Sequence, residues 1–288
     1  MKRLIREIKK TVVFLGRPGS DGQVRFDATG FLLRVENVFH MATARHVVVD
    51  QQTGNLLDED LIAFLNLRDG AIGSRSIRAF KDQAQVQWVF HPQKDVDVAM
   101  IPFGVNRDTD DVKTVPQEIF LGPEELLELS EVFFLSYQPG ILPRRTIAPV
   151  FRSGTISTLN EDGTFYVDGS AFPGNSGSPV FLKPSPISFE EEGFSIGTNT
   201  QGGKFVGIIG EYVPYQEVAV SLQTGRPRVM FEENTGLSRV WSVKFIQEII
   251  ESPPFKEQVN RLVPKPGQQQ EAVSPSAGAP PEQGPVRE

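Results

Sequence analysis

The sequence predicts an all-β protein: two packed β-domains, a helix at the C-terminal end of the second, and a disordered tail. Short segments rich in Val, Ile, Phe and Thr recur between Gly, Pro, Asp and Asn, the punctuation of strands and turns. These segments fall into two groups separated near residues 111–130, and helical spacing appears in only two places. The expected divisions are 1–120 for the first β-domain, 121–263 for the second with its helix, and 264–288 for the tail.

In chain order, Val12-Val13-Phe14-Leu15 reads as the first strand. The basic residues before it, Lys2, Arg3, Arg6, Lys9 and Lys10, are followed by too few apolar residues for a secretory h-region of about 7–15. The chain as given is therefore expected to stay in the cytoplasm. Gly30-Phe31-Leu32-Leu33-Arg34-Val35 is a further strand. In Val86-Gln87-Trp88-Val89-Phe90, Val86, Trp88 and Phe90 would share one strand face. Residues 123–129 suggest a short helix, with Pro123 at the first position and Glu124 and Glu125 in the first turn. Thr164-Phe165-Tyr166-Val167 is again a strand. Residues 243–251 suggest a helix, because Phe245, Ile246, Ile249 and Ile250 stand at helical spacing. The last 25 residues hold six prolines and no aromatic residue, too little apolar surface to offset ordering entropy. That tail is expected to be solvated, and it offers a ligand for a proline-reading partner.

Composition removes several functions. There are 288 residues and no cysteine, which excludes disulfide scaffolds, iron–sulfur clusters, Cys-ligated zinc and thiol nucleophiles. A net charge of −7 argues against a nucleic-acid binder. Uninterrupted apolar runs fall far short of the roughly 20 residues of a membrane span, so no membrane partner is expected. With three histidines and no H-E-x-x-H, neither a metal nor another cofactor is expected.

The most informative segment is Pro173-Gly174-Asn175-Ser176-Gly177-Ser178-Pro179. A nucleophilic serine needs little bulk around its Oγ and backbone N–H groups aimed at a developing oxyanion. Gly174 can take backbone angles closed to other residues, so its N–H can face the same point as that of Ser176. A plain Gly/Asn/Ser turn is the competing reading.

A serine nucleophile also needs a base. His40, His46 and His91 all precede Ser176. The order Ser, acid, His is therefore excluded. The order Asp, His, Ser could use Asp21 or Asp27 but would want alternating strands and helices. The order His, Asp, Ser fits a strand-rich chain better. His46 lies in the strand-like Ala42-Thr43-Ala44-Arg45-His46-Val47-Val48, and Asp97 lies in the apolar Asp95-Val96-Asp97-Val98-Ala99-Met100-Ile101. A carboxylate in an apolar run is costly unless paired. A histidine Nδ1–H is a suitable partner, and it fixes the tautomer whose Nε2 takes the serine proton.

Three blocks in this order resemble the trypsin-like serine peptidases: Ala28-Thr29-Gly30-Phe31 with Thr43-Ala44-Arg45-His46-Val47-Val48, then Asp97-Val98-Ala99-Met100-Ile101, then Gly174-Asn175-Ser176-Gly177-Ser178-Pro179. Similarity extends over residues 11–250. The resemblance implies two six-stranded β-barrels with the active site between them. It implies His46, Asp97 and Ser176 as a triad, with Asp97 preferred over Asp95, and the Gly174 and Ser176 N–H groups as oxyanion hole. His40 and His91 are left as structural histidines. The implied substrate is a polypeptide, cut through an acyl-enzyme.

The resemblance also places Ser170 at the base of the substrate pocket, and Gly210, Glu211 and Tyr212 along one edge. An uncharged base and a narrowing Tyr212 suggest small or medium apolar residues before the cut. Asn175 stands where the digestive members carry an aspartate that pairs with a new N-terminus, which points to the bacterial-type branch. Arg45 stands where the family usually has alanine. The alternative to an enzyme is a catalytically silent scaffold on the same fold, its cleft covered by the segment between Tyr212 and Arg239.

Overall fold

The computed structural model describes residues 2–141, 145–184, 187–190, 193–196 and 202–263. The tail at 264–288 lies outside the described residues. Helix α1 (Lys2–Lys9) precedes strands β1 (Val12–Pro18), β2 (Val24–Val35) and β3 (Val38–Thr43). A single helical turn α2 (Arg45–Val48) leads to β4 (Ile62–Asn66), β5 (Ile72–Ser76) and helix α3 (Ile77–Ala84). Three short strands, β6 (Val89–Phe90), β7 (Ala99–Pro102) and β8 (Val115–Pro116), complete the first unit. The second holds β9 (Glu131–Ser136), β10 (Val150–Leu159), β11 (Thr164–Asp168) and β12 (Pro179–Leu182). A small hairpin, β13 (Ile187–Glu190) and β14 (Gly193–Ile196), leads to the long strands β15 (Phe205–Val220) and β16 (Pro227–Ser242). Helices α4 (Val243–Glu251) and α5 (Pro253–Leu262) end the described chain.

The fold is mostly β, as the strand pattern predicts. The first unit is one sheet in the order β5-β4-β1-β2-β3-β7-β6, with β8 parallel to β2. The second is a closed six-stranded barrel, β10-β11-β16-β15-β12-β9. Closure leaves no free edge within the barrel, so its interior is filled by alternating apolar side chains, among them Val132, Phe134, Ile156, Phe165, Val180 and Ile209.

The phenylalanine-rich composition finds its use between the two units. Phe14 and Phe31 of the first share one buried cluster with Tyr137, Phe181 and Phe205 of the second. Their rings meet edge-on or tilted, with Phe14 and Tyr137 centroids 5.2 Å apart and Phe31 and Phe205 also 5.2 Å apart. Such pairs add to the area term and hold the two units in a fixed relation. The C-terminal helices fasten the other side. Helix α4 buries Phe245, Ile246 and Ile249 at the expected spacing. Helix α5 brings Phe255 to within 4.5 Å of the His40 ring, stacked on it.

Local expectations differ from the structure in several places, and helices α1, α3 and α5 add to the two helical segments expected. Residues 123–129 form only a 3₁₀ turn, Pro123–Glu125, because Leu126 alone is buried while Leu127 and Leu129 remain exposed. Val86, Trp88 and Phe90 do pack into one cluster, but only Val89 and Phe90 are strand. His46 lies on the turn α2 rather than in a strand, for a reason found at the site itself. No helix among the described residues is long and apolar enough to cross a membrane.

Candidate active site

His46 is placed by the end of β3. The strand stops at Thr43, and the turn α2 buries Val47 and Val48 against the first core. These β-branched residues would favour a strand, but a tertiary contact decides otherwise. The first amides of a helix have no partner within it. Here the His46 N–H donates to Asp97 Oδ1 at 2.8 Å. The same carboxylate accepts a second bond from His46 Nδ1–H at Oδ2, also 2.8 Å. Asp97 thus holds both the backbone and the ring of one residue, and Nε2 is left as the acceptor. Arg45, without explanation in the sequence, lays its guanidinium 4.8 Å from the Phe90 ring centroid.

Ser176 sits in a tight turn that glycine makes possible. Gly174 has φ +96° and Gly177 has φ +85°. A Cβ on Gly174 would stand 2.8 Å from the Tyr137 ring, and one on Gly177 would collide with the Thr29 carbonyl and the Thr43 hydroxyl. The turn's amides divide in an informative way. Those of Asn175, Gly177 and Ser178 donate to the carbonyls of Phe172, Ile209 and Asn175 at 2.9, 2.8 and 3.0 Å. Those of Gly174 and Ser176 make no hydrogen bond among the described residues.

Asn175 is fully buried and clamps this turn. Its Oδ1 accepts from the Phe172 amide at 2.9 Å, and its Nδ2 donates to the Tyr137 carbonyl at 2.6 Å. An internal amide therefore anchors the turn without a charged N-terminus. Thr29 anchors it from the other unit. Its hydroxyl donates to the Gly174 carbonyl at 2.7 Å and accepts from the Tyr137 amide at 2.9 Å. Its own amide donates to the Ser176 carbonyl at 3.0 Å. The sequence signals Thr29 only as part of the block before His46.

His46 and Ser176 face one cleft of about 590 Å³. Val49, Asp50, Gln51, Gln52 and Leu57 line it from the first unit, and Ala171, Phe172, Pro173, Gly210, Glu211 and Tyr212 from the second. No direct hydrogen bond joins the imidazole and the Ser176 hydroxyl, a contact of the kind that tightens when substrate is bound. Of the expected pocket residues, Gly210 and Tyr212 line the cleft. Ser170 is not among its lining residues, and the Ser170 carbonyl accepts from Arg152 at 2.8 Å. Gly210 packs closely, since a Cβ there would stand 2.7 Å from the Trp241 indole nitrogen and 3.4 Å from Asp97 Oδ2.

The electrostatics favour a charged imidazole. Burial pushes the His46 pKa down, but the hydrogen bond and charge of Asp97 and the charge of Glu211 outweigh it, and the net shift is upward. Glu211 is a contributor that sequence reasoning assigned only to a pocket edge. The other two histidines are elsewhere. His40 is buried between Val38 and Phe255, and His91 pairs with Glu248 at 2.7 Å. Among the described residues no cluster of His, Asp and Glu could hold a metal ion.

Comparison with known proteins agrees with this fold. In two solved structures the fold recurs at low identity. A serine endoprotease from Yersinia pestis matches with a TM-score of 0.50 at 13% identity, over 89% of this chain and 66% of its own. A thermostable serine protease from an extremophilic microorganism matches with a TM-score of 0.50 at 12% identity, over 88% of this chain and 99% of its own. The chain thus spans just under two thirds of the first of these structures. No curated protein matches it. The family model for the trypsin-like peptidase domain matches residues 28–184, more than half of the 288, and the chain therefore belongs to the trypsin-like peptidase family.

Proposed function

We propose that the protein is a serine endopeptidase in which Ser176 is the nucleophile, His46 the general base and Asp97 its orienting partner. The observation that carries this is the two-point hold of Asp97 on His46 in a cleft shared with Ser176. Neutral His46, with its proton on Nδ1, takes the Ser176 Oγ proton at Nε2 as Oγ attacks the substrate carbonyl. The negative charge on the carbonyl oxygen is met by the free amides of Gly174 and Ser176. His46 then gives the proton to the leaving amine, the acyl-enzyme forms, and water repeats the sequence to release the acid.

The substrate is a polypeptide bound in extended form. β15 pairs with β12 only as far as Ile208. Its register with β16 is also interrupted between Ile209 and Tyr212. Past Ile209, whose amide and carbonyl bond Ser178 and Gly177, Gly210 and Glu211 line the cleft and supply the edge along which an added strand would pair. The segment 212–239 gives no support to a cleft-covering scaffold, since Tyr212 is its only residue lining the cleft.

A fluorophosphonate probe tests the proposal. Labelling of wild type that disappears in Ser176→Ala is expected. Absence of labelling in folded wild type would overturn the enzymatic reading.

A further inference from the structure

β15 and β16 run on beyond the barrel as a free ribbon. From Pro214↔Asn234 to Val220↔Pro227, among the described residues, they pair only with each other. A two-stranded ribbon is marginal in water by itself. This one nevertheless carries seven of the fifteen exposed large apolar side chains among the described residues. Tyr215, Val218, Val220, Val229, Met230 and Phe231 are 49–60% exposed. Cross-strand partners share a face. Glu217↔Phe231 and Ala219↔Val229 therefore lie on one face, and Val218↔Met230 lies on the other. On the first of these faces Phe231 and Val229 stand next to each other, an exposed apolar patch of the kind that marks an interaction site.

Charge along the ribbon identifies the occupant. Glu217, Glu232 and Glu233 lie toward the barrel, whereas Arg226 and Arg228 lie at the turn. On the face of Phe231 and Val229, Glu233 and Glu217 thus lie toward the barrel and the two arginines lie past Val229, toward the tip. A two-fold interface sets each patch against its own reverse. Such a rotation brings the basic tip of one ribbon to the acidic base of the other, with the apolar stretches in register. At ~3.3 Å per residue each ribbon strand spans roughly 25 Å beyond the barrel. A two-stranded face about 10 Å wide then gives a footprint on the order of 250 Å² per copy, a small interface that suits weak, concentration-dependent association.

We propose that the ribbon is a dimerisation arm that packs antiparallel against the same ribbon of a second copy. The proposal is independent of the catalytic reading. Sedimentation of the full chain up to tens of micromolar is the test, with circular dichroism verifying that each variant is folded. Wild type is expected to double its mass with rising concentration, and Val229→Glu/Phe231→Glu to stay monomeric. Glu217→Lys/Glu233→Lys is expected to weaken association by about tenfold or more through repulsion from the arginine tip. Adding Arg226→Glu/Arg228→Glu to that variant is expected to restore it. A monomeric wild type, a dimer indifferent to Val229→Glu/Phe231→Glu, or no recovery on double charge reversal would overturn the proposal. So would a monomer that instead binds phosphatidylcholine vesicles through this ribbon.

Discussion

Asp97 holds His46 at two points, the backbone amide on Oδ1 and the ring Nδ1–H on Oδ2, both at 2.8 Å. One carboxylate therefore sets the turn that carries the histidine, the ring orientation and the tautomer. Asp97→Asn separates these tasks. Its one remaining oxygen cannot serve both donors, and its NH₂ favours the wrong tautomer. Turnover on a peptide substrate is expected to fall by about 10³–10⁴-fold, while the near-UV spectrum and melting temperature change little. Asp97→Ala, which also leaves the His46 amide unpaired, should lower the melting temperature as well. Equal melting temperatures for the two variants would separate Asp97 from the turn.

The raised His46 pKa fixes the sign of the pH profile. The general base must be neutral, so activity falls as pH drops through that pKa, and the acid limb should lie above the ordinary value of about 6.5. Glu211→Gln removes one of the charges that favour the imidazolium. The limb of kcat/KM should then move to lower pH, with activity retained at neutrality. An unchanged or upward-moving limb would show that Glu211 does not act on His46.

Much of this site was legible in the sequence because triad chemistry constrains residue type and order. Three histidines, all before Ser176, left few arrangements, and small residues around Ser176 announced a tight turn. The rest depended on tertiary contacts. Arg45-His46-Val47-Val48 has the composition of a strand and becomes a helical turn because a carboxylate 51 residues away caps it. The 3₁₀ turn at Pro123–Glu125 fails to grow into a helix because its surroundings bury Leu126 and nothing beyond it. Thr29 and Glu211 belong to unremarkable local patterns, and only the meeting of the two units shows what they touch.

Specificity should follow the walls of the cleft. Ala171, Phe172 and Tyr212 are apolar or aromatic, and Asp50 and Glu211 are its acidic members. Profiling on a peptide library should return small or medium apolar residues immediately before the cut. A dominant requirement for Asp or Glu there would contradict the charge of the cleft, and one for Lys or Arg would require a buried carboxylate in the pocket.

His40 should set part of the acid stability. Burial pushes its pKa down to about 4, against a weaker upward pull from the Val38 carbonyl. The folded protein therefore keeps His40 neutral to about pH 4, whereas the unfolded chain takes up a proton near 6.5. The unfolded state binds more protons between these values, so the contribution is complete above about 6.5 and lost as pH falls toward about 4. The full span corresponds to ~3 kcal/mol as an order of magnitude. Urea unfolding of wild type and His40→Leu at several pH values isolates it, since the variant's stability should decline less over this window. Parallel declines would assign the acid sensitivity to other groups.

Thr29 makes the last prediction, because it braces the Gly174 and Ser176 turn whose amides are proposed to meet the oxyanion, without lining the cleft itself. Its hydroxyl bridges the Gly174 carbonyl and the Tyr137 amide, and its own amide holds the Ser176 carbonyl. Thr29→Val keeps the shape and the backbone bond but removes the bridge, leaving the Gly174 carbonyl and the Tyr137 amide unsatisfied inside the protein. A cost of about 1–3 kcal/mol in stability is expected from the buried groups alone. The catalytic consequence is distinct. The peptide after Gly174 gains freedom, so its amide is less well aimed where charge develops in the transition state. Because that interaction is made in the transition state and not in the ground state, kcat should fall by about 10–100-fold with KM little changed. Thr29→Ser restores the hydroxyl and should recover most of kcat, even if loss of the methyl group leaves some instability. A Thr29→Val protein with normal kcat would reduce Thr29 to a structural residue. A fall in kcat that Thr29→Ser fails to rescue would point to packing rather than to the hydrogen bond.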